Sequence, residues 1–276
     1  MGKKSGINYA RASWSPWYGG CDGYKIFTEC EHCYARAQMR RFGKDPDKLT
    51  RGKTTFQKPL FWAKDPAIKH VFVCPWSDFF LPAADPWRPE AWEIMRETPG
   101  LTYIIPTKKP ELILERLPEG WGAGWPNVWL LVSAGTRATL KMHWGAMQDV
   151  PAKVKGLSLA PLLEHLLFSG FLRDWRVQPD WVVIEGESGS EARMCINTWM
   201  LDVVWGCRKA NIPVWVKQLG THHAKETSVK VSERHQPLEA KSVYQLGDRA
   251  ASDMQYWPED LRIRQLPGHY ELSKEH

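Results

Sequence analysis

Short apolar runs, each closed by polar or turn-forming residues, recur along the chain. The first, Asn8–Trp14, stops at Ser15-Pro16. His70-Val71-Phe72-Val73-Cys74, Leu101–Ile105, Val128–Val132, the weaker Val154–Ser158, Trp181–Ile184 and Val214–Val216 follow. Apolar character without alternation predicts strands buried on both faces. Helix-like stretches lie between them at Cys33–Phe42, Glu90–Glu97, Pro110–Leu117 and Asn197–Ala210, the last stopping at Asn211-Ile212-Pro213. Strands and helices alternating at about one βα unit predict an α/β fold with a parallel sheet. Seven strands favour a partial or full parallel β/α (TIM-like) barrel over a doubly wound sheet. No G-x-G-x-x-G and no P-loop follows any of these strands, which argues against a dinucleotide-binding sheet. The barrel is expected over residues 1–220, with residues 221–276 as an irregular C-terminal extension packing on it. His222-His223 in that region read as surface residues.

Every run ends in polar or special residues. These are Pro75-Trp76-Ser77-Asp78, Thr107-Lys108-Lys109, Ser133-Ala134-Gly135-Thr136, Ser158-Leu159-Ala160-Pro161, Glu185-Gly186-Glu187-Ser188-Gly189 and Lys217-Gln218. In a β/α barrel such ends converge on one mouth. Asp78 suits the ammonium group of an amino-acid ligand, by a charge-assisted hydrogen bond. Glu187 suits ribose hydroxyls, with Gly186 and Gly189 allowing close backbone approach. Lys108, Lys109 and Lys217 suit a carboxylate or a phosphate.

The most specific chemistry is the loop 20–34, where Cys21, Cys30 and Cys33 are spaced C-x8-C-x2-C between the first strand and a helix. Three soft thiolates with no fourth suit a metal centre that keeps one position open, such as an iron–sulfur cluster. The competing reading is zinc held by Cys21, Cys30, His32 and Cys33. Cys74, Cys195 and Cys207 form no second motif and read as buried structural thiols.

The charge is concentrated beside that loop. Residues 36–58 carry eight basic side chains against Asp45 and Asp47, which accounts for the whole net charge of +6. Arg40, Arg41, Arg51 and Lys53 are its candidate contacts to phosphates. Sixteen tryptophans also stand out; flat aromatics can stack on bases, although most are expected in the core. No apolar run reaches the roughly 20 residues a membrane span needs. The basic start Met1–Gly6 leads into no apolar signal core. A cytosolic chain with reduced thiols is expected, in which a CxxC does metal or redox work.

Together, the cysteines and strand ends are recognisable. The chain resembles the radical S-adenosylmethionine superfamily, and within it a group of phage and prophage proteins with a three-cysteine motif. The matching blocks are Ala12–Pro16, the loop through Cys33-Tyr34-Ala35, Val71–Val73 with Ser77-Asp78, Thr107–Pro110, Asn127–Leu130 with Ser133, Gly186–Gly189 and Val216–Gly220. The chain departs from the superfamily's commonest C-x3-C-x2-C spacing in its longer first gap. Where many relatives carry an aromatic before the last cysteine, it has His32. The resemblance implies a barrel of radical S-adenosylmethionine type with a [4Fe–4S] cluster on Cys21, Cys30 and Cys33. Its fourth iron would chelate S-adenosylmethionine, and the 5′-deoxyadenosyl radical formed on reduction would abstract a substrate hydrogen. It implies Asp78 at the cofactor's amino group, Ser133, Ser158 and Glu187 at its carboxylate and ribose, and His32 against its adenine. Relatives are associated with hypermodified phage DNA, which implies isomerisation of a glycyl-modified thymidine, an electron donor as partner, and the bacterial host cytoplasm as location. A zinc-containing nucleic-acid-binding protein, or a barrel enzyme whose cluster is only structural, are the competing functions.

Overall fold

The computed structural model describes residues 6–231 and 239–268; residues 1–5, most of the basic start, lie outside them. The chain divides into two compact units, one formed by residues 1–133 and 139–158, the other by 134–138 and 159–276. The seven principal strands belong to an α/β fold.

In the first unit, β1 (Ala12–Trp14), β4 (His70–Val73), β5 (Thr102–Thr107), β6 (Val128–Ser133) and β7 (Val154–Leu159) pair in parallel, each with the next. The apolar runs become strands because both faces are covered: every residue of β6 is buried. β1 is shorter than its run, since a turn closed by Ala10 N–H donating to Ile7 O at 3.0 Å precedes it. β4 stops at Val73 because Cys74 takes a left-handed backbone (φ 55°), which no strand continues through. Two short strands, β2 (Trp17–Tyr18) and β3 (Thr50–Arg51), pair antiparallel and bracket the cysteine loop and the first part of the basic segment.

The helices of this unit are α1 (Tyr34–Arg41), α2 (Lys58–Trp62), α3 (Arg88–Glu97) and most of α4 (Arg137–Met147). Pro59 and Pro89 sit in the first turns of α2 and α3, where a missing N–H costs nothing. The helix expected over Pro110–Leu117 is instead two 3₁₀ turns, Pro110–Leu112 and Leu114–Arg116, with Ile113 between them. α4 was not expected. Its buried positions Thr139, Leu140, His143, Trp144 and Met147 keep helical spacing, but two of the five are polar, which broke the apolar pattern.

In the second unit, β8 (Trp181–Glu185) and β9 (Val214–Gln218) are parallel and carry α5 (Phe168–Asp174), α6 (Asn197–Lys209) and α7 (Thr221–Glu226). α6 buries Met200, Val203, Val204 and Cys207, a stripe at i, i+3, i+4 and i+7. The expected irregular extension contains more structure than foreseen. β10 (Ser228–Val231) and β11 (Glu239–Ser242) form an antiparallel pair. Residues 263–265 then run along β9: Val216 N–H donates to Ile263 O at 3.0 Å and Gln265 N–H to Val214 O at 3.0 Å. Residues 232–238 and 269–276 of that extension lie outside the described residues. Among the described residues no helix is long and apolar enough to cross a membrane.

Candidate functional site

The loop 20–34 runs from β2 to α1, and the first unit holds it at several points. At its start, Gly19 N–H donates to Trp76 O at 2.9 Å and Ser77 Oγ donates to Gly19 O at 2.7 Å. Next, Asp22 pairs with Lys109 at 2.9 Å. In its middle, Glu29 is buried and accepts from the Thr139 hydroxyl of α4, while Phe27 meets the His143 ring edge-on at 5.1 Å. At its end, the Tyr34 hydroxyl donates to Pro75 O at 3.0 Å. The loop is thereby fastened to the segments that follow β4 and β5 and to α4. In parallel α/β units these carboxyl ends are where sites form.

Within the loop, Gly23 explains how the thiols are set. A Cβ at Gly23 would stand 3.1 Å from Cys30 Sγ and 3.7 Å from Cys21 Sγ. The two sulfurs therefore face one small space that is free because residue 23 has no side chain. Cys33 precedes α1 as its N-cap residue and makes no side-chain capping bond. All six cysteines are free thiols; Cys30 is buried, Cys21 and Cys33 are half-buried. Burial, reinforced by the nearby Asp78 carboxylate, pushes the Cys21 thiol up to about 12. Burial also raises Cys30, but the Lys108 ammonium group acts the other way there. Cys74, Cys195 and Cys207 are buried. Cys74 shares the field of Asp78 and Cys21, and burial first, then Asp78, raises it well above an ordinary thiol. Among the described residues, no three His, Cys, Asp or Glu side chains are placed to hold a single metal ion. His32 is half-buried in the turn before Cys33.

Asp78 lies at the centre of the strand ends. Its carboxylate accepts from Thr107 Oγ1 at 2.8 and 2.9 Å, from Lys108 N–H at 3.0 Å and from Phe80 N–H at 2.9 Å. Its own carbonyl accepts the Trp17 indole N–H at 3.1 Å. Asp78 thus binds the end of β5 to the loop after β4. The end of β5 in turn presents Lys108, whose Nζ donates to Ser133 Oγ at 2.9 Å. Ser133 and Ser158 are buried register neighbours on β6 and β7. His143 Nδ1 lies 2.7 Å from Ser133 O, and burial lowers its pKa. The first unit therefore gathers Cys21, Cys30, Cys33, Asp78, Lys108 and Ser133 about one loop.

Glu187 and Lys217 belong to the second unit and are engaged there. Glu187 is buried and grips Arg193: its carboxylate accepts from Arg193 N–H and Nε at 2.8 Å and from Nη2 at 2.7 Å. Lys217 pairs with Glu185. At this point β8 and β9 slip register between Ile184 and Glu185, which sets Glu185 opposite Gln218. The close approach at Gly186 is to the chain itself, since a Cβ there would lie 2.1 Å from Leu219 O. Gly189 faces open space at φ 131°.

The basic segment is sorted by the fold. Arg51 Nη2 donates to both carboxylate oxygens of Glu90, at 2.6 and 2.8 Å, and the guanidinium lies 4.0 Å over the Phe56 ring. Arg36 pairs with Asp47 at 2.9 Å, and Lys44 lies 4.1 Å over Tyr18. Arg40, Arg41 and Lys53 are exposed.

Sequence reasoning placed Thr107 at a strand end without its bond to Asp78, and missed Gly23, Thr139, His143 and Arg193 as parts of these arrangements. Only Gly23 carried a local signal, as a glycine between two of the motif's cysteines. The others act through partners 6 to 116 residues distant, of which His143 with Phe27 is the extreme.

No curated protein and no solved structure matches the chain. A family model described as Protein of unknown function (DUF5131) matches residues 4–251, which include the loop, all seven principal strands and Arg193. The chain belongs to that family.

Proposed function

We propose that the chain is a radical S-adenosylmethionine enzyme that acts on a modified nucleobase in phage DNA, with isomerisation of a glycyl-modified thymidine as the candidate reaction. The observation that carries the reading is the space beside Gly23, flanked by the sulfurs of Cys21 and Cys30, in a loop whose third cysteine opens α1. A donor set of soft thiolates with one position left open fits a [4Fe–4S] cluster better than a hard cation. When bound, the cluster and S-adenosylmethionine supply a one-electron cleavage that yields a hydrogen-abstracting carbon radical.

The chain's own residues have four tasks on this reading. Cys21, Cys30 and Cys33 hold the cluster as thiolates, so loading releases protons; burial makes that release costly at Cys21, and Lys108 eases it at Cys30. Asp78 and Thr107 brace the strand ends beneath the loop. Lys108 and Ser133 offer an ammonium group and a hydroxyl to a carboxylate. Phe27 and His143 close the α4 side of the loop with packed rings, which keeps water from it.

The test begins with purification without oxygen. Iron and sulfide in near equal amounts are expected, lost together when Cys21, Cys30 or Cys33 becomes Ala. One zinc per chain in their place overturns the reading. With dithionite and S-adenosylmethionine, 5′-deoxyadenosine is expected; its absence from iron-loaded protein leaves a structural cluster. Incubation with DNA carrying glycyl-modified thymidine, followed by nucleoside mass analysis, should give a product of unchanged mass and altered retention.

A further inference from the structure

Most large aromatics here are spent on the core: Trp14, Trp17, Trp129, Trp144 and Trp181 are fully buried. One group beside the cysteine loop is not. Phe42, at the end of α1, is 63% exposed and lies against the partly exposed Trp76, ring centres 5.9 Å apart and planes only 30° from parallel. The Trp76 indole is fixed, its N–H donating to Gln38 Oε1 at 3.0 Å. Tyr34, 44% exposed, is fixed through its hydroxyl to Pro75 O. Tyr34, Gln38 and Phe42 stand at i, i+4 and i+8, so they share one face of α1, and Arg41 at i+7 shares it too. Leaving rings of this size in water forfeits burial that folding would otherwise gain. The orientations of Tyr34 and Trp76 are nonetheless held by hydrogen bonds, and Phe42 lies against the fixed Trp76 ring.

Position and charge narrow the occupant. Trp76 O accepts the Gly19 N–H that begins the cysteine loop, and Tyr34 follows Cys33 directly, so the surface borders the site on both sides. Arg40 and Arg41 beside it form no ion pair among the described residues, whereas Arg36 and Arg51 are paired. Flat rings flanked by open cationic groups match a polyanion with exposed aromatic faces. In a closed duplex the base faces are hidden in the stack; only unpaired or flipped nucleotides present them.

We propose that Tyr34, Phe42 and Trp76, with Arg40 and Arg41, form a stacking platform for unpaired nucleotides next to the site, so that the enzyme engages opened or single-stranded DNA rather than closed duplex. This rests on the reading of the substrate as DNA, and it does not require the cluster to be loaded.

The test is fluorescence anisotropy with the full chain and fluorescein-labelled oligonucleotides, single-stranded and duplex, over a salt series. Wild type is expected to bind the single strand at least about tenfold more tightly than the duplex. The double variant F42A/W76A should lose about tenfold or more of single-strand affinity, since each stacked base contributes on that order. W76F, which keeps a ring, should retain most of it. R40Q/R41Q should weaken binding to both forms and lower the single-strand salt slope by about 1.4, two phosphates' share. F61A, which removes another exposed aromatic, on α2, should change nothing. Circular dichroism and iron content of each variant distinguish lost binding from lost fold. Single-strand affinity unchanged in folded F42A/W76A, or duplex preferred by wild type, overturns the platform. No DNA binding by wild type overturns the platform and the DNA substrate together, while 5′-deoxyadenosine formation would still stand as evidence for the cofactor chemistry.

Discussion

The hydroxyl of Thr107 and the carboxylate of Asp78 meet twice, at 2.8 and 2.9 Å, joining the last residue of β5 to the loop that follows β4. Both residues are buried. Thr107→Val keeps the shape and removes the donor, leaving two backbone N–H groups to satisfy a buried carboxylate. A loss of about 1–3 kcal/mol is expected from the urea midpoint. Thr107→Ser should recover most of it. A Val variant as stable as wild type would mean that Asp78 finds another donor.

Gly23→Ala separates folding from loading. Gly23 begins a 3₁₀ turn and is not among the glycines with positive φ, so alanine suits its backbone. Its methyl group, however, would enter the space that Cys21 and Cys30 face. Iron retained after anaerobic reconstitution should fall several-fold while circular dichroism shows the fold retained. Undiminished iron would place the metal elsewhere.

Arg193→Leu tests the clamp on Glu187. The carboxylate is nearly fully buried and takes three of its bonds from Arg193, one of them through the backbone N–H, which the variant keeps. Removing the guanidinium leaves a buried charge without its counter-charge, and a cost of about 3–5 kcal/mol is expected in chemical denaturation. Adding Glu187→Gln should return part of that loss, because the uncompensated charge is then gone. Additive losses would show that the two do not act as a pair.

His70, buried in β4 against Trp129, has its pKa lowered to about 4, by burial and then by the charge of Lys69. The folded state therefore binds a proton less readily than the unfolded chain, whose histidine titrates near 6.5. Its contribution is fully present above pH 6.5 and is lost as pH falls from there toward 4, by up to about 3 kcal/mol. His70→Phe should flatten the stability profile in that window. An unchanged slope would assign the acid sensitivity to other groups.

The strands were legible because a segment buried on both faces must be apolar throughout, and six of the seven runs became strands within two residues of the expected ends. Asn8–Trp14 kept only its last three residues. Pro110–Leu117 satisfied helical composition, yet its backbone closed into two 3₁₀ turns about Ile113. α4 went unseen because Thr139 and His143 are buried for the sake of Glu29, Phe27 and Ser133, partners that no local pattern reveals.

The site divides along the same line. Residue type and spacing alone singled out the three cysteines, the polar strand ends and the basic segment, since these depend on what each side chain can do chemically. Tertiary structure decided which of them are engaged and by what. It committed Arg51 to Glu90 and Glu187 to Arg193, and it turned Asp78 inward onto Thr107. It also left Phe42 and Trp76 in the open beside the cysteine loop. A charge or a ring is spent or left available according to what the fold brings within about 3 to 6 Å of it, and those neighbours come from distant parts of the chain.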